Sequence, residues 1–250
     1  MKVSVLASGS KGNSSYIETK ETKILVDLGM TTLYIETKLK TLGINPEEID
    51  AIILTHTHVD HISGLKVFTK KYNTKVYLTE KMLKDINEIF ELKNYEIITD
   101  DFKIKDLEIE IIKTSHDASD SNGYIFKHNN KTISYITDTG YINRKYKDKL
   151  SNKNIYIMES NHDIKMLQDG KYPYHLKQRV LSDKGHLSNE MCSKYLKEYI
   201  GKDTKKIILI HLSHENNTEE IALKTLQENL EFKDVIISRQ DESTELVEIW

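Results

Sequence analysis

An apolar run that ends in a cluster of histidines constrains this chain most. The run, Ala51–Leu54, predicts a buried strand, and His56, His58, Asp60 and His61 follow it. Alternate residues of an extended loop face the same way, so His56 and His58 can meet one cation while Asp60 and His61 meet a second. Imidazole and carboxylate ligands without thiolate suit Zn²⁺, Mn²⁺ or Fe²⁺. The sequence therefore predicts a metal site here, with scattered surface histidines as the alternative.

The composition is that of an ordinary folded protein. Its 250 residues are 38% apolar and 30% charged, and we expect a single domain over residues 1–250. The net charge of −3 means that any nucleic-acid partner must meet a local basic patch. Cys192 is the only cysteine, which excludes an internal disulfide. No apolar run has signal-peptide or transmembrane length, so we expect a cytoplasmic protein without membrane association or an obligate protein partner.

Short strands alternate with helices along the chain. Strands come in meanders, and both halves of the chain contain both element types, which favours one α/β domain of two packed sheets flanked by helices. Strands are predicted at Val3–Ala7, Ser15–Glu18, Lys23–Asp27, 51–55, Val76–Leu78, Gly123–Lys127, Thr132–Thr137, Ile155–Met158, Lys206–Ile210, 234–237 and 246–249, and alternation of apolar and polar residues runs through 95–114. Helices are predicted at 31–42, 64–71, 80–90 and 218–230, with one after residue 140 and two or three between 158 and 206.

Two further ionisable residues follow apolar strands. Asp138 comes directly after the strand that ends at Thr137, and His211 comes directly after the strand that ends at Ile210. An ionisable group at such a position is costly when it is buried without a partner, and a metal ion would supply one. A helix-capping aspartate or a core histidine is the alternative for either residue alone.

The motif THTHVDH resembles the signature of the metallo-β-lactamase superfamily, and the family's other motifs follow in order. The resemblance implies a four-layer αβ/βα sandwich of two mixed sheets flanked by helices, with two divalent metal ions between the sheets. It also implies that Asp27 in ILVDLG orients the histidine loop. By the same resemblance, one ion would be held by His56, His58 and His116, the other by Asp60, His61 and His211, with Asp138 between them.

The residue at position 58 favours hydrolysis over redox chemistry. Related di-iron oxygen reductases carry glutamate where this chain has His58. Two divalent ions roughly 3.5–4 Å apart can share a hydroxide as nucleophile and stabilise a displacement at phosphorus. We therefore count Asp60 among the catalytic residues as well as among the ligands.

Two later motifs resemble the branch of the family that processes the 3′ end of tRNA. In that branch a glutamate and a histidine handle protons beside the metals, and Glu159 in ESNHD and His186 in GHLS match them. An imidazolium held by a carboxylate can protonate the leaving oxygen of a phosphodiester. An ordinary surface-loop histidine is the alternative for His186. His162 and His214 lie beside these motifs and are expected to support the ligands.

A more specific resemblance is to the small bacterial YycJ/WalJ group of nucleases, through LASGSKGNSSYI, ESNHD, GHLSNE and HLSHENN. It implies an exonuclease that acts 5′ to 3′ on double-stranded DNA. Two alternatives remain. One is a hydrolase of small esters, thioesters or cyclic phosphodiesters. The other is a metal-holding protein with a binding role, which the complete ligand set argues against.

A nuclease must also hold phosphate, and basic residues cluster between the two catalytic motifs. Lys177, Arg179 and Lys184 lie there with Tyr172 and Tyr174 among them. Lysine and arginine can neutralise the nucleic-acid backbone, and tyrosine can stack on a base. We expect the three basic residues to bind substrate, with a solvated helix face as the alternative.

Overall fold

Two seven-stranded mixed sheets make up the fold, seen in a computed structural model that describes residues 1–249. The strands are β1 Lys2–Ala7, β2 Ser14–Glu18, β3 Lys23–Val26, β4 Ala51–Ile53, β5 Lys75–Leu78, β6 Tyr95–Ile97, β7 Phe102–Ile104, β8 Leu107–Lys113, β9 Asn122–His128, β10 Lys131–Ile136, β11 Ile155–Glu159, β12 Lys206–Ile210, β13 Val235–Ile237 and β14 Val247–Glu248. The helices are α1 Thr32–Thr41, α2 Val59–Ile62, α3 Leu65–Tyr72, α4 Glu80–Asn87, α5 Lys147–Leu150, α6 Ile164–Asp169, α7 Tyr174–Leu181, α8 Asn189–Tyr199 and α9 Glu219–Asn229.

Both sheets follow the same plan, an antiparallel meander that continues into parallel strands. The first sheet has the order β14-β1-β2-β3-β4-β5-β6, and it is parallel from β3 to β6. The second has the order β13-β12-β11-β10-β9-β8-β7, and it is parallel from β10 to β13. The last strand, β14, returns to pair with β1. This arrangement confirms the predicted α/β fold of two mixed sheets flanked by helices.

Alternation along the strands separates the buried residues into three apolar layers. In β3, Ile24 and Val26 join the layer between the sheets, whereas Leu25 joins a layer with α1, α3 and α4. In β11, Ile155 and Ile157 join the central layer, while Tyr156 packs with α8 and α9. Because successive side chains in a strand point to opposite faces, both sheets are buried on both sides. The result is the expected order of helices, sheet, sheet and helices.

The carboxyl ends of the parallel strands meet at one edge of the molecule. Asp27 follows β3, the histidine cluster follows β4, Asp138 lies two residues after β10, and His211 follows β12. This is the edge where open α/β sheets bind ligands. Asp27, Asp138 and His211 have positive φ angles of 59°, 45° and 58°. Such left-handed backbone costs about 1–3 kcal/mol per residue and is concentrated at functional sites.

Three hydrogen bonds tie the sheets together at this edge. The Tyr124 hydroxyl in β9 donates to the Leu54 carbonyl over 2.6 Å. The Asn122 amide donates to the Thr55 carbonyl over 2.9 Å, and the His211 amide donates to Ser8 Oγ over 2.7 Å. Each bond joins a strand end of one sheet to the other sheet, so the two halves of the site are held in fixed positions.

Element boundaries differ from the sequence predictions at a few places. The fourth strand ends at Ile53 rather than residue 55, and the helix predicted over 80–90 ends at Asn87. The alternating segment 95–114 divides into β6, β7 and β8. Ser188 accepts a hydrogen bond from the Met191 amide and so caps the start of α8, as a serine at this position commonly does. Within residues 1–249, no helix combines the length and apolarity needed to cross a membrane.

Candidate metal centre

Three imidazoles from two segments converge to form the first half of the centre. His116 Nδ1 donates to the Gly185 carbonyl over 3.1 Å, so the proton is on Nδ1 and the lone pair of Nε2 is available. That Nε2 lies 3.1 Å from His58 Nδ1. His56 Nε2 is buried with no hydrogen-bond partner among the described residues. His56, His58 and His116 thus present nitrogens to one point, the grouping predicted for one ion.

The second half combines Asp60, His61 and His211. His61 Nδ1 donates to Asp27 Oδ2 over 2.8 Å, so its Nε2 faces Asp60 Oδ2 at 3.6 Å. His211 Nε2 lies 3.7 Å from the same Asp60 oxygen and has no hydrogen-bond partner in the described part of the chain. A ring that donates from one nitrogen to a carboxylate is the usual arrangement of a metal-binding histidine.

Asp27 acts from behind the histidine loop, as the sequence predicted. It is fully buried, and its carboxylate accepts hydrogen bonds from the Thr55 amide over 2.7 Å and the Thr55 hydroxyl over 2.7 Å. It also accepts the bond from His61. The carboxylate therefore fixes the loop's path and the orientation of one imidazole together.

Asp138 lies between the two halves. Its Oδ2 is 3.2 Å from His61 Nε2, and its Oδ1 is 3.3 Å from His211 Nδ1 and 3.9 Å from His116 Nε2. Burial would raise the pKa of this carboxyl, but His211 and His61 hold the pKa well below its usual range. An ionised carboxylate with its two oxygens facing different imidazole groups fits the predicted bridging position.

The Glu159 carboxylate is shared by two histidines. Its Oε1 accepts from His186 Nδ1 over 2.6 Å and from His211 Nδ1 over 2.9 Å. Its Oε2 accepts from the Thr139 amide over 3.0 Å and the Leu187 amide over 3.2 Å. Burial would raise the pKa of Glu159, but the charge of His186 and the hydrogen bonds from both histidines lower it to about 2. The sequence predicted the contact with His186 and missed the contact with His211.

The electrostatics of the centre suit a bound cation. Burial lowers the pKa of His56 well below its ordinary value and also lowers the pKa of His116, which keeps these lone pairs available. Burial alone would lower the pKa of His211 too, yet Asp138, Asp60 and Glu159 raise it well above 6.5. The carboxylates thus favour positive charge at this point, and a divalent ion can supply it in place of protons. The donor set therefore fits divalent metal binding.

A buried network of polar side chains joins the loops that carry Glu159, His186 and His211. Ser160 Oγ donates to Asn189 Oδ1 over 2.6 Å, and Asn217 Nδ2 donates to the Ser160 carbonyl over 2.9 Å. Asn161 Nδ2 donates to the His211 carbonyl over 2.9 Å. The motifs ESNHD, GHLSNE and HLSHENN are therefore parts of one hydrogen-bonded support, which explains why they occur in the same chain.

A cavity of about 210 Å³ opens onto the centre. The segment from α6 to α7 contributes Tyr172, Leu176 and Arg179 to the lining, and Asn161 and Ser213 add neutral polar side chains. Arg179 makes a two-pronged ion pair with Asp117, in which Nη2 to Oδ1 is 3.1 Å. Asp117 Oδ1 lies 3.6 Å from His58 Nε2. The guanidinium is therefore held at the cavity wall beside the first group of imidazoles.

The structure does not bring every predicted residue into this site. Lys177 donates to the Gln168 carbonyl over 2.6 Å, and Lys184 is exposed, and neither lines the cavity. Of the three basic residues expected to bind substrate, only Arg179 lines the cavity. For Lys177 the reason is helical geometry, because residues two apart on α7 point to different sides, and Lys184 lies beyond the end of α7.

The two histidines expected to support the ligands make no hydrogen bond to them among the described residues. His214 is exposed and makes no side-chain hydrogen bond within residues 1–249. His162 is buried, and neither ring nitrogen has a partner among the described residues. Burial lowers the pKa of His162 to about 4, so the ring is neutral. Neither residue is hydrogen-bonded to a predicted ligand.

Sequence reasoning missed two residues of the site. Asn13 is not among the predicted site residues, yet its Nδ2 lies 3.2 Å from Asp60 Oδ2 and 3.0 Å from His61 Nε2. The sequence gives one indication that Asp117 lies at the site, because Asp117 directly follows the predicted ligand His116 in the motif SHDASD. For Asn13 the sequence offers no signal, because the contact joins segments that are 47 residues apart.

Comparison with known proteins identifies close relatives. Residues 22–212 match the family described as Beta-lactamase superfamily domain. The chain is 39% identical to the exodeoxyribonuclease YycJ of Bacillus anthracis, over 92% of this chain and 89% of the relative. It is 40% identical to the exodeoxyribonuclease WalJ of Streptococcus pneumoniae strain D39, over 92% of this chain and 88% of the relative.

A solved structure shares the fold. The metallo-β-lactamase fold protein YhfI from Bacillus subtilis superposes with a TM-score of 0.75 at 17% identity, covering 98% of this chain and 99% of that one. At this identity the likeness shows the architecture of two sheets with flanking helices.

Replacing the carboxylate behind the histidine loop tests its orienting role. We expect Asp27→Asn to weaken metal binding about 10- to 100-fold, because His61 loses the carboxylate that holds its ring. Metal titration followed by calorimetry, with thermal unfolding of the metal-free protein as a check on folding, measures the effect. Glu18→Gln, a change of the same chemistry on β2 of the same sheet, is the control. Unchanged metal affinity in Asp27→Asn would exclude the orienting role.

Proposed function

The chain belongs to the β-lactamase superfamily, and we propose that it is a metal-dependent exodeoxyribonuclease that hydrolyses phosphodiester bonds with two divalent ions. The observation that carries the proposal is the Glu159–His186 pair beside two sets of converging ligands. A phosphodiesterase needs an acid for its leaving oxygen, and this pair places one at the cavity. The names of the 39–40% identical relatives point to DNA as the substrate. The proposed direction is 5′ to 3′ on double-stranded DNA.

The proposed metal ligands are those of the two halves of the centre. His56, His58 and His116 would hold one ion, Asp60, His61 and His211 the other, and Asp138 would contact both. Zn²⁺ or Mn²⁺ suits this set of nitrogen and oxygen donors best, and Fe²⁺ is also compatible. Bound at these positions, two divalent ions would supply a water of lowered pKa and would neutralise charge on the phosphate.

His186 supplies the proton in this proposal. Its Nδ1 is held by Glu159, so the ring presents Nε2 to the cavity. The pKa of Glu159 near 2 keeps that carboxylate ionised at neutral pH, so it can accept the hydrogen bond that holds the ring of His186. The departing oxygen of the nucleotide would take its proton from Nε2.

Arg179 positions the substrate. A guanidinium held at Nε and Nη2 by Asp117 keeps its remaining donors free for phosphate oxygens, the geometry for which arginine is best suited. Tyr172 lies on the same wall and offers a ring face to a base. Lys177 and Lys184 have no place in this proposal, since they lie outside the cavity.

The size of the cavity supports a second candidate function. At about 210 Å³ it is small, and among the described residues Arg179 is the one lysine or arginine that lines it. A long basic groove would favour a polymer, so the cavity is also compatible with a small cyclic phosphodiester or ester. The relatives favour DNA, and a substrate panel separates the two functions.

The panel compares DNA duplexes labelled at either 5′ or 3′ end, single strands, RNA and a cyclic dinucleotide, each with Mn²⁺ or Zn²⁺. We expect stepwise shortening of duplex DNA from its 5′ end, measured on denaturing gels. His58→Ala should reduce the rate more than about 100-fold, because even the outer partners of ligands contribute 10- to 100-fold. Cleavage of the cyclic dinucleotide alone would establish the second function and overturn the first.

The proton donor is tested by changing the leaving group. We expect His186→Ala to slow cleavage of DNA about 10²- to 10⁴-fold while both metals stay bound. The defect should be much smaller with bis(p-nitrophenyl) phosphate, whose leaving group needs little protonation. Equal defects on both substrates would assign His186 to positioning instead. Since Glu159 also holds His211, Glu159→Gln should lower metal affinity as well as rate, a difference that calorimetry can measure.

Arg179 has a matched control two residues away on the same helix. We expect Arg179→Ala to raise KM for DNA about three- to tenfold with little change in kcat, as removal of uniform binding does. Lys177→Ala removes the same charge from outside the cavity, and its KM should change by less than about twofold. Equal effects of both variants would mean that α7 attracts DNA only through its net charge.

A further inference from the structure

A second cavity lies away from the metal centre. Its volume is about 590 Å³, against about 210 Å³ for the cavity over the ligands, and the two share no lining residue. It is formed by α3 and by the segment that follows α4. Helix α3 begins beside the centre, where the Gly64 amide donates to the Leu28 carbonyl, and ends at the amino end of β5. The cavity therefore reaches the edge opposite the proposed ligands.

Three lysines line this distal cavity without an acidic partner. Lys66, Lys70 and Lys93 form no ion pair within residues 1–249, and Glu91 is the one acid among the lining residues. Lysines close by are paired, as the 2.8 Å contact of Lys71 with Glu36 shows. Like charges that share a concave surface repel one another, and a bound anion relieves that repulsion. The net positive charge of the cavity thus favours an anionic ligand.

An aromatic ring forms part of the same cavity. Phe90 is half-buried against the outer apolar layer of the first sheet, and Lys66 Nζ lies 6.0 Å from its ring centroid. The amides of Asn73 and Asn94 complete the polar lining, and they carry both donors and acceptors. Lysines attract a phosphate, a ring face stacks on a base, and amide groups can hydrogen-bond to base edges. A cavity that combines these three features can recognise a nucleotide.

We propose that this distal cavity binds a nucleotide, with the phosphate at Lys66, Lys70 and Lys93 and the base against Phe90. The nucleotide can be free or part of a DNA strand, since both carry the same chemistry. The inference goes beyond the proposed hydrolysis and does not depend on it, because no residue of the metal centre takes part. A second nucleotide site on a nuclease would either sense its mononucleotide product or hold a distant part of its substrate.

The test is binding of deoxyadenosine monophosphate to the full-length chain, followed by amide chemical shifts. We expect saturable shifts in residues 66–73 and 90–94. Changing the three lysines together, Lys66→Gln, Lys70→Gln and Lys93→Gln, should weaken this binding about tenfold or more. Phe90→Leu keeps an apolar side chain but removes the ring, and it should also weaken binding of the monophosphate. Circular dichroism of each variant checks that it is folded.

A triple variant elsewhere on the surface is the matched control. Lys40, Lys194 and Lys202 are exposed and, like the cavity lysines, have no ion pair with a described residue. Changing these three to glutamine removes the same total charge and should leave binding at residues 66–73 and 90–94 unchanged. Equal loss in both triple variants would reduce the site to general electrostatic attraction and overturn the proposal.

Three further ligands define the chemistry. Deoxyadenosine and inorganic phosphate should each bind more weakly than the monophosphate, and phosphate binding as tightly would exclude a role for the base. We also compare a phosphorothioate single strand of DNA with the monophosphate. If the strand binds more tightly, and the triple lysine variant abolishes that difference in affinity, a DNA strand is the occupant. Binding of the monophosphate alone would identify a free nucleotide. If the protein proves not to hydrolyse DNA, these titrations can still be interpreted, since none of them measures cleavage.

Discussion

The hydrogen bonds that cross between the two sheets at their ligand-bearing edge are the constraint on which the site depends. Neither sheet carries a complete set of proposed ligands, since the first provides the histidine cluster and the second provides His116, Asp138 and His211. The apolar layer between the sheets brings the strand ends together, but such packing is tolerant of small shifts. The bond from Tyr124 to the Leu54 carbonyl and the bond from His211 to Ser8 are directional. They fix the separation of the two halves more closely than packing can.

This convergence has a cost that the surrounding structure must offset. Asp27, Asp138 and His211 adopt left-handed backbone, and several carboxylates and imidazoles are buried within a few ångströms of one another. Each buried charge is tolerable only with a partner. The carboxylate of Asp27 has three donors and that of Glu159 has four, so these two acids are stable without an ion. The Nε2 atoms of His56 and His211, which have no hydrogen-bond partner among the described residues, are the part of the cost that a bound metal ion would relieve.

The sequence predicted much of this architecture, and the errors have identifiable causes. Strands such as Lys206–Ile210 and the order of the predicted ligands follow from apolar runs and family motifs, which are local features. The contact of Asn13 with the histidine loop and the second hydrogen bond of Glu159 join distant segments, and no local pattern encodes them. The basic residues of α7 show the same limit. Their charge can be read from the sequence, but packing determines which side of the helix faces the cavity. As a result, Arg179 lines the cavity and Lys177 does not.

The shared carboxylate of Glu159 connects the two chemical tasks of the proposed site. It is hydrogen-bonded to His211, a proposed metal ligand, and to His186, the proposed proton donor, so a movement of Glu159 would displace both rings together. A phosphodiester needs its nucleophile and its acid on opposite sides of one phosphorus atom, and a misplacement of about 1 Å can cost 100-fold in rate. One rigid carboxylate that serves both groups keeps their separation constant. The buried side chains of Ser160, Asn189 and Asn217 hold the loops around that carboxylate, which gives these polar motifs a structural reason to occur together in a hydrolase.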